Sequence, residues 1–135
     1  MNLRILVIDD DETDRKIIAK TLQGIDPEFE IRDADSGNTA LALLNEFPPD
    51  LVFCDVNMPQ DNGFDVCQKL KEAIPHLKVI ILTGATDSAH YKQTVDSQAD
   101  RYINKNSIQT TLKITLNRLR PQLIRSTIDS AQSLE

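Results

Sequence analysis

Four short stretches hold the side chains that could act together chemically. Asp9-Asp10-Asp11-Glu12 directly follows the apolar run from Leu3 to Ile8. Asp55 closes a second apolar run, Leu51 to Cys54, and leads into Val56-Asn57-Met58-Pro59. Thr83-Gly84-Ala85 ends a third run, Val79 to Leu82, and Lys105 stands just beyond Arg101 to Ile103. Carboxylates gathered in one place repel, and at least one has a raised pKa unless a cation sits among them. A hard divalent ion with oxygen ligands, Mg²⁺ above all, resolves that repulsion and keeps positions for water or phosphate oxygens. A hydroxyl and an ammonium alongside are what a transferred phosphoryl group needs to spread its charge. An aspartate at a strand end can act as a nucleophile and give an acyl phosphate. Each feature alone has a plainer explanation: a solvated loop, a turn residue, a structural hydroxyl, a surface charge. Four of them, each at its own strand end, argue for a site.

The elements that must position these groups follow from periodicity. The runs 3–8, 51–54 and 79–82 are rich in Ile, Val and Leu and suit strands buried on both faces. Phe29 to Arg32 and Arg101 to Ile103 are weaker strands. Helical spacing groups Ile17, Ile18, Thr21 and Leu22; then Ala40, Leu41, Leu44 and Phe47; then Val66, Cys67, Leu70 and Ile74. Asp87 to Ser97 is polar and less periodic. Leu112, Leu116, Leu119 and Leu123 mark a last helix. Strands alternating with single helices imply βαβ units, a parallel sheet and right-handed crossovers. Ligands of such sheets bind beyond the carboxyl ends of the strands. Pro48-Pro49-Asp50, Asn62-Gly63 and Pro75 punctuate the boundaries.

Composition bounds the class. The chain has 135 residues, enough for one domain, with 40% hydrophobic and 27% charged residues and a net charge of −6. That balance argues against direct binding to nucleic acid or anionic lipid. No run approaches the ~20 apolar residues that span a bilayer, and the N-terminus lacks a signal-peptide layout. Cys54 and Cys67 do not make a disulfide framework, and His76 and His90 have no partner at metal-ligand spacing. A soluble, cytoplasmic protein is expected.

Taken in order, these residues resemble the receiver domain of two-component response regulators. The resemblance spans about Leu3 to Arg120 and rests on four motifs. They are Ile5-Leu6-Val7-Ile8-Asp9-Asp10, Asp55-Val56-Asn57-Met58-Pro59 with Gly63, Ile80-Ile81-Leu82-Thr83-Gly84, and Tyr102-Ile103-Asn104-Lys105. It implies a flavodoxin-like (βα)5 α/β fold with strand order 2-1-3-4-5. It implies that Asp55 accepts a phosphoryl group from a sensor histidine kinase or a histidine phosphotransfer protein. Mg²⁺ would be bound by Asp10, by Asp9 mostly through water, by Asp55 and by the Asn57 carbonyl. Lys105 would pair with Asp55 and then with a phosphate oxygen. Thr83 would move toward the phosphoryl group and Tyr102 would turn inward with it. The surface formed by the Asp87–Ser97 helix, the fifth strand and the last helix would then change its preferred partner.

Two positions depart from the family pattern. Asn106 follows Lys105 where receivers usually carry a proline, often after a cis peptide. A cis bond before a non-proline residue costs about 2.5–4 kcal/mol, so the loop is either strained or trans. Gln98 stands where a glycine usually follows the fourth helix of the family, and a left-handed glutamine costs roughly 1–2 kcal/mol. Ala85 is small and should leave water room to reach the phosphoryl group, which implies a phosphoaspartate that is not strongly protected.

Two other readings compete. Asp9-x-Asp11-x-Thr13 looks like the first motif of haloacid-dehalogenase-type phosphatases, but the only acids after Lys105 are Asp129 and Glu135, and Asp55 is left unexplained. A pseudo-receiver, used only for docking, is the other. Residues 1–120 are expected to form the receiver unit, and 121–135, beginning at Pro121, a C-terminal helical tail or linker. The partner of the switched surface is a downstream protein or an output domain, and homodimers through that surface are possible.

Overall fold

The computed structural model describes residues 3–84 and 98–133, with side chains in the last helix only as far as Leu123, Gln122 excepted. Five parallel strands form one sheet: β1 (Arg4–Ile8), β2 (Glu30–Ala34), β3 (Leu51–Asp55), β4 (Lys78–Thr83) and β5 (Arg101–Asn104). Their order across the sheet is β2-β1-β3-β4-β5, as expected for the flavodoxin-like arrangement. The described helices are α1 (Glu12–Ile25), α2 (Gly37–Leu43), α3 (Gly63–Ala73) and α4 (Ile108–Ser133), with a 3-10 turn at Lys105–Ser107. The helix expected over Asp87–Ser97 lies outside the described residues, as do Ala85 and His90.

The continuous apolar runs divide by a period of two. Ile5, Val7, Leu51, Phe53, Ile80 and Leu82 face a core made with Ile18 and Leu22 of α1 and with Leu112, Leu116, Leu119 and Leu123 of α4. Leu6, Ile8, Val52, Cys54, Val79 and Ile81 face a second core with Ala40 of α2 and with Phe64, Val66, Cys67 and Leu70 of α3. Strands covered on both faces have no polar face to present, which is why alternation is missing from their sequence. The outer strand β2 is mostly exposed and correspondingly polar.

Caps set where the helices start. Asp11 accepts from the backbone N–H groups of Thr13 and Asp14, Ser36 from that of Thr39, and Asn62 from that of Phe64. Helix α2 is shorter than its apolar spacing suggests: it ends at Leu43, and Phe47 reaches its buried place through a turn beyond the helix. Pro48 disfavours helical backbone at Phe47. Ile17, expected on the buried face of α1, is 42% exposed. Helix α4 continues through Pro121, and Leu123 beyond it is buried in the first core.

Candidate phosphoacceptor site

The parallel register brings the carboxyl ends of β1, β3, β4 and β5 to one edge. Asp9 follows β1 directly, Asp55 ends β3, Thr83 ends β4, and Lys105 follows β5. Asp9, Asp55 and Thr83 are all buried, while Asp10 is exposed. Carboxylate oxygens of Asp9, Asp10 and Asp55 lie within 4.8 Å of one another.

Each acid is held differently. One Asp9 oxygen, Oδ1, accepts from the Asp11 N–H at 2.9 Å. The other, Oδ2, is buried and faces the Lys105 ammonium at 2.6 Å as an ion pair, without an aligned hydrogen bond. Arg15 donates to the Asp9 carbonyl at 2.7 Å and pairs with Asp33, fixing the β1–α1 turn. Asp55 Oδ1 accepts from the Asn57 N–H at 3.2 Å, and Oδ2 lies 3.3 Å from Lys105 Nζ. Burial pushes the Asp55 carboxyl from 3.8 up to about 6; the Asn57 N–H and Lys105 oppose that rise, and the Asp9 charge adds to it. The raised carboxyl foreseen from the sequence is thus present, but burial is its main cause and repulsion by Asp9 the smaller one. Burial alone would lower the Lys105 ammonium, but Asp9, Asp14 and Asp55 reverse that and raise it above its ordinary value.

The loop after Asp55 is built on close backbone approach. The Val56 N–H donates to Leu82, and the Gly63 N–H donates to Val56. Asn57 and Asn62 pair as an antiparallel bridge. A Cβ on Gly63 would collide with the Asp55 carbonyl oxygen and sit 2.7 Å from Val56 Cα. Only a glycine lets the start of α3 lie against the backbone of Asp55.

The model for the response regulator receiver domain matches residues 5–117. The chain belongs to this family. Its described sheet has the receiver's strand order. Among curated relatives, the DNA-binding response regulator MtrA of Mycolicibacterium paratuberculosis is 36% identical over 105 residues, covering 78% of this chain and 45% of its own length. The transcriptional regulatory protein DegU of Brevibacillus brevis is 30% identical over 104 residues, covering 76% and 44%. This chain therefore spans about half the length of the curated relatives it matches. A signal receiver domain of a DNA-binding response regulator from Colwellia psychrerythraea superposes with a TM-score of 0.82 at 28% identity, covering 89% of this chain and 99% of that one. A receiver domain protein from Clostridium thermocellum gives 0.80 at 30% identity, covering 93% and 98%.

Against the receiver pattern, the structure brings Asp9, Asp10, Asp55 and Lys105 together. Thr83 lies one residue beyond Leu82, the β4 residue paired with Asp55. The Asn57 side chain is exposed, and Tyr102 on β5 is 51% exposed. The Lys105–Asn106 peptide is trans. Its loop is organised by Asn104, whose side chain accepts the Asn106 N–H at 2.8 Å. A proline at 106 has no N–H for that bond. Gln98 keeps the left-handed backbone that a glycine would adopt, with φ at 66°. The sequence reading missed Asp14, whose carboxylate lies 3.0 Å from Lys105 Nζ. Asp14 follows its cap by three residues, the usual place for an acid at a helix start, and nothing in the sequence pairs it with a residue ninety-one positions away. Among the described residues, no helix is long and apolar enough to cross a membrane.

Proposed function

We propose that Asp55 is the residue that accepts the phosphoryl group, with a phosphohistidine on a sensor histidine kinase or a histidine phosphotransfer protein as donor. The observation that carries this reading is one buried carboxylate at the end of the central strand, 3.3 Å from a lysine ammonium and beside two further acids. The Asp55 carboxylate attacks phosphorus, the phosphorus–nitrogen bond breaks, and the imidazole nitrogen leaves with the electron pair and takes a proton. Asp55 is aimed by the Asn57 N–H, and Lys105 is near enough to neutralise a phosphoryl oxygen. Thr83, buried at the end of β4, would hydrogen-bond the same group.

The residues suit Mg²⁺. An all-oxygen donor set is gathered, and Asp9 Oδ2 is buried, paired among the described residues with the Lys105 ammonium and without an aligned hydrogen bond. Asp9, Asp10, Asp55 and the Asn57 carbonyl would hold the ion, which when bound offsets the charge that builds on the transferring oxygens. The phosphatase reading is weaker, because Asp11 is exposed and occupied as the cap of α1.

A phosphoryl group carries roughly −1.5 to −2 where the carboxylate carried −1. It would draw Thr83 and Lys105 toward it, and Tyr102 would turn inward as the exposed face of β5 and α4 changes its preferred partner. That partner is a downstream protein, an output domain or a second copy of the chain; the net charge of −6 argues against direct binding of nucleic acid. The test is an ¹⁵N NMR titration with Mg²⁺ and then beryllofluoride, which mimics the phosphoryl group. Shifts at Thr83, Tyr102 and Lys105 that need both additions and vanish in Asp55→Asn are expected. Shifts confined to Asp9 and Asp10 would favour a docking module instead.

A further inference from the structure

Asp14 has no part in the roles above, yet it touches the residue on which they turn. The Lys105 ammonium lies among three carboxylates, 2.6 Å from Asp9, 3.0 Å from Asp14 and 3.3 Å from Asp55. Asp55 is the farthest of the three. Asp9 and Asp55 are buried members of the acidic cluster; Asp14 is partly exposed on the first turn of α1 and outside that cluster. A cavity of about 80 Å³, lined by Asp14, Ile17, Ile18, Lys105 and Ile108, opens between α1 and the start of α4. The lysine therefore has both an anion and space on the α1 side.

Resting on the phosphoacceptor reading, we propose that Asp14 is a positioning residue. It shares the Lys105 ammonium with Asp9 and Asp55, so that the lysine is held less tightly on those two acids when a divalent cation competes for their oxygens. The reasoning is a competition. An ammonium and a divalent ion want the same oxygens of Asp9 and Asp55. With Asp14 present the lysine is divided among three acids; without it the lysine is held by Asp9 and Asp55 alone, and a cation must displace it against a stronger hold. Once a cation is bound, however, a lysine released from Asp14 reaches the phosphoryl oxygen with one carboxylate fewer to leave. Loss of Asp14 therefore moves cation affinity and saturated rate in opposite directions. An acid that merely stabilises the start of α1 would not do this; its removal would loosen the site and lower both.

The experiment compares wild type, Asp14→Asn, Lys105→Ala and the double variant. Mg²⁺ affinity is read from amide NMR shifts, and phosphorylation by acetyl phosphate is followed by intact mass at saturating Mg²⁺. Asp14→Asn is expected to weaken Mg²⁺ binding about three- to fivefold, the scale of one partly exposed charge pair, and to raise the saturated rate. In the Lys105→Ala background the same substitution should leave Mg²⁺ affinity nearly unchanged. A fall in both quantities, no change in either, or an equal loss of affinity without Lys105 would overturn the proposal. Should the wild type bind Mg²⁺ with this coupling but take no phosphoryl group from acetyl phosphate or from a phosphohistidine donor, the positioning by Asp14 stands and the phosphoacceptor reading fails.

Discussion

Replacing Asp55 by Asn should stabilise the metal-free protein, and the gain should depend on pH. Asp55 is only 3% exposed and its carboxyl is raised from 3.8 to about 6, chiefly by burial. Between pH 4 and 6 the folded chain holds a proton that the unfolded chain has lost, so stability falls as pH rises through that window. The penalty is absent below about pH 4 and complete above about pH 6. A rise of about two units corresponds to about 3 kcal/mol. Asn keeps the shape and removes the charge, while Lys105 retains Asp9 and Asp14 as partners. Urea unfolding in EDTA, from pH 4 to 7.5, should show Asp55→Asn close to wild type at the acid end and more stable by about 3 kcal/mol at neutral pH. Saturating Mg²⁺ should narrow the gap, because it stabilises the folded wild type by mass action. A difference that is constant with pH, or that grows toward acid, would refute the reasoning.

Three further substitutions test the scaffold. Gly63→Ala should cost about 1–3 kcal/mol in chemical unfolding and slow phosphorylation, because its Cβ has only the Asp55–Val56 backbone to push against. Gln98→Gly should raise stability by about 1 kcal/mol, by relieving the left-handed backbone at φ 66°; a thermal melt unchanged or lowered would deny that the strain exists. Asp100→Ala should destabilise by about 2 kcal/mol, since Asp100 accepts the Val79 N–H at 2.8 Å and Lys71 at 2.9 Å and so joins β4, α3 and the approach to β5. Loss of less than half that value in urea unfolding would mean that water replaces both bonds.

Much of this was legible in the residues. Strands buried on both faces leave a clear trace, because every position of Leu51–Cys54 must be apolar, and the acids, hydroxyl and lysine stood out by following such runs. Other features depend on tertiary geometry. Phe47 kept a helical spacing from Ala40 and Leu44, but the helix stops at Leu43 and a turn before Pro48 carries the ring inward. The leucine spacing across Pro121 did foreshadow a helix face reaching Leu123, although proline alone suggested a break. Asn106 signalled a departure from the usual lysine–proline pair, yet not its solution: the bond from its own N–H to Asn104 is visible only once the loop is folded. Asp14 was hidden for the same reason. An acid in the first turn of a helix is common, and its contact with Lys105 needs α1 and the β5 loop to be adjacent.

The central claim is that Asp55 takes the phosphoryl group, and intact mass after incubation with acetyl phosphate and Mg²⁺ tests it most directly. The account predicts one phosphoryl adduct on the wild type, lost in Asp55→Asn and in EDTA, and released by hydroxylamine as an acyl phosphate. An adduct that survives in Asp55→Asn, or none on a wild type that binds Mg²⁺ and receives a phosphohistidine donor as well, would contradict it.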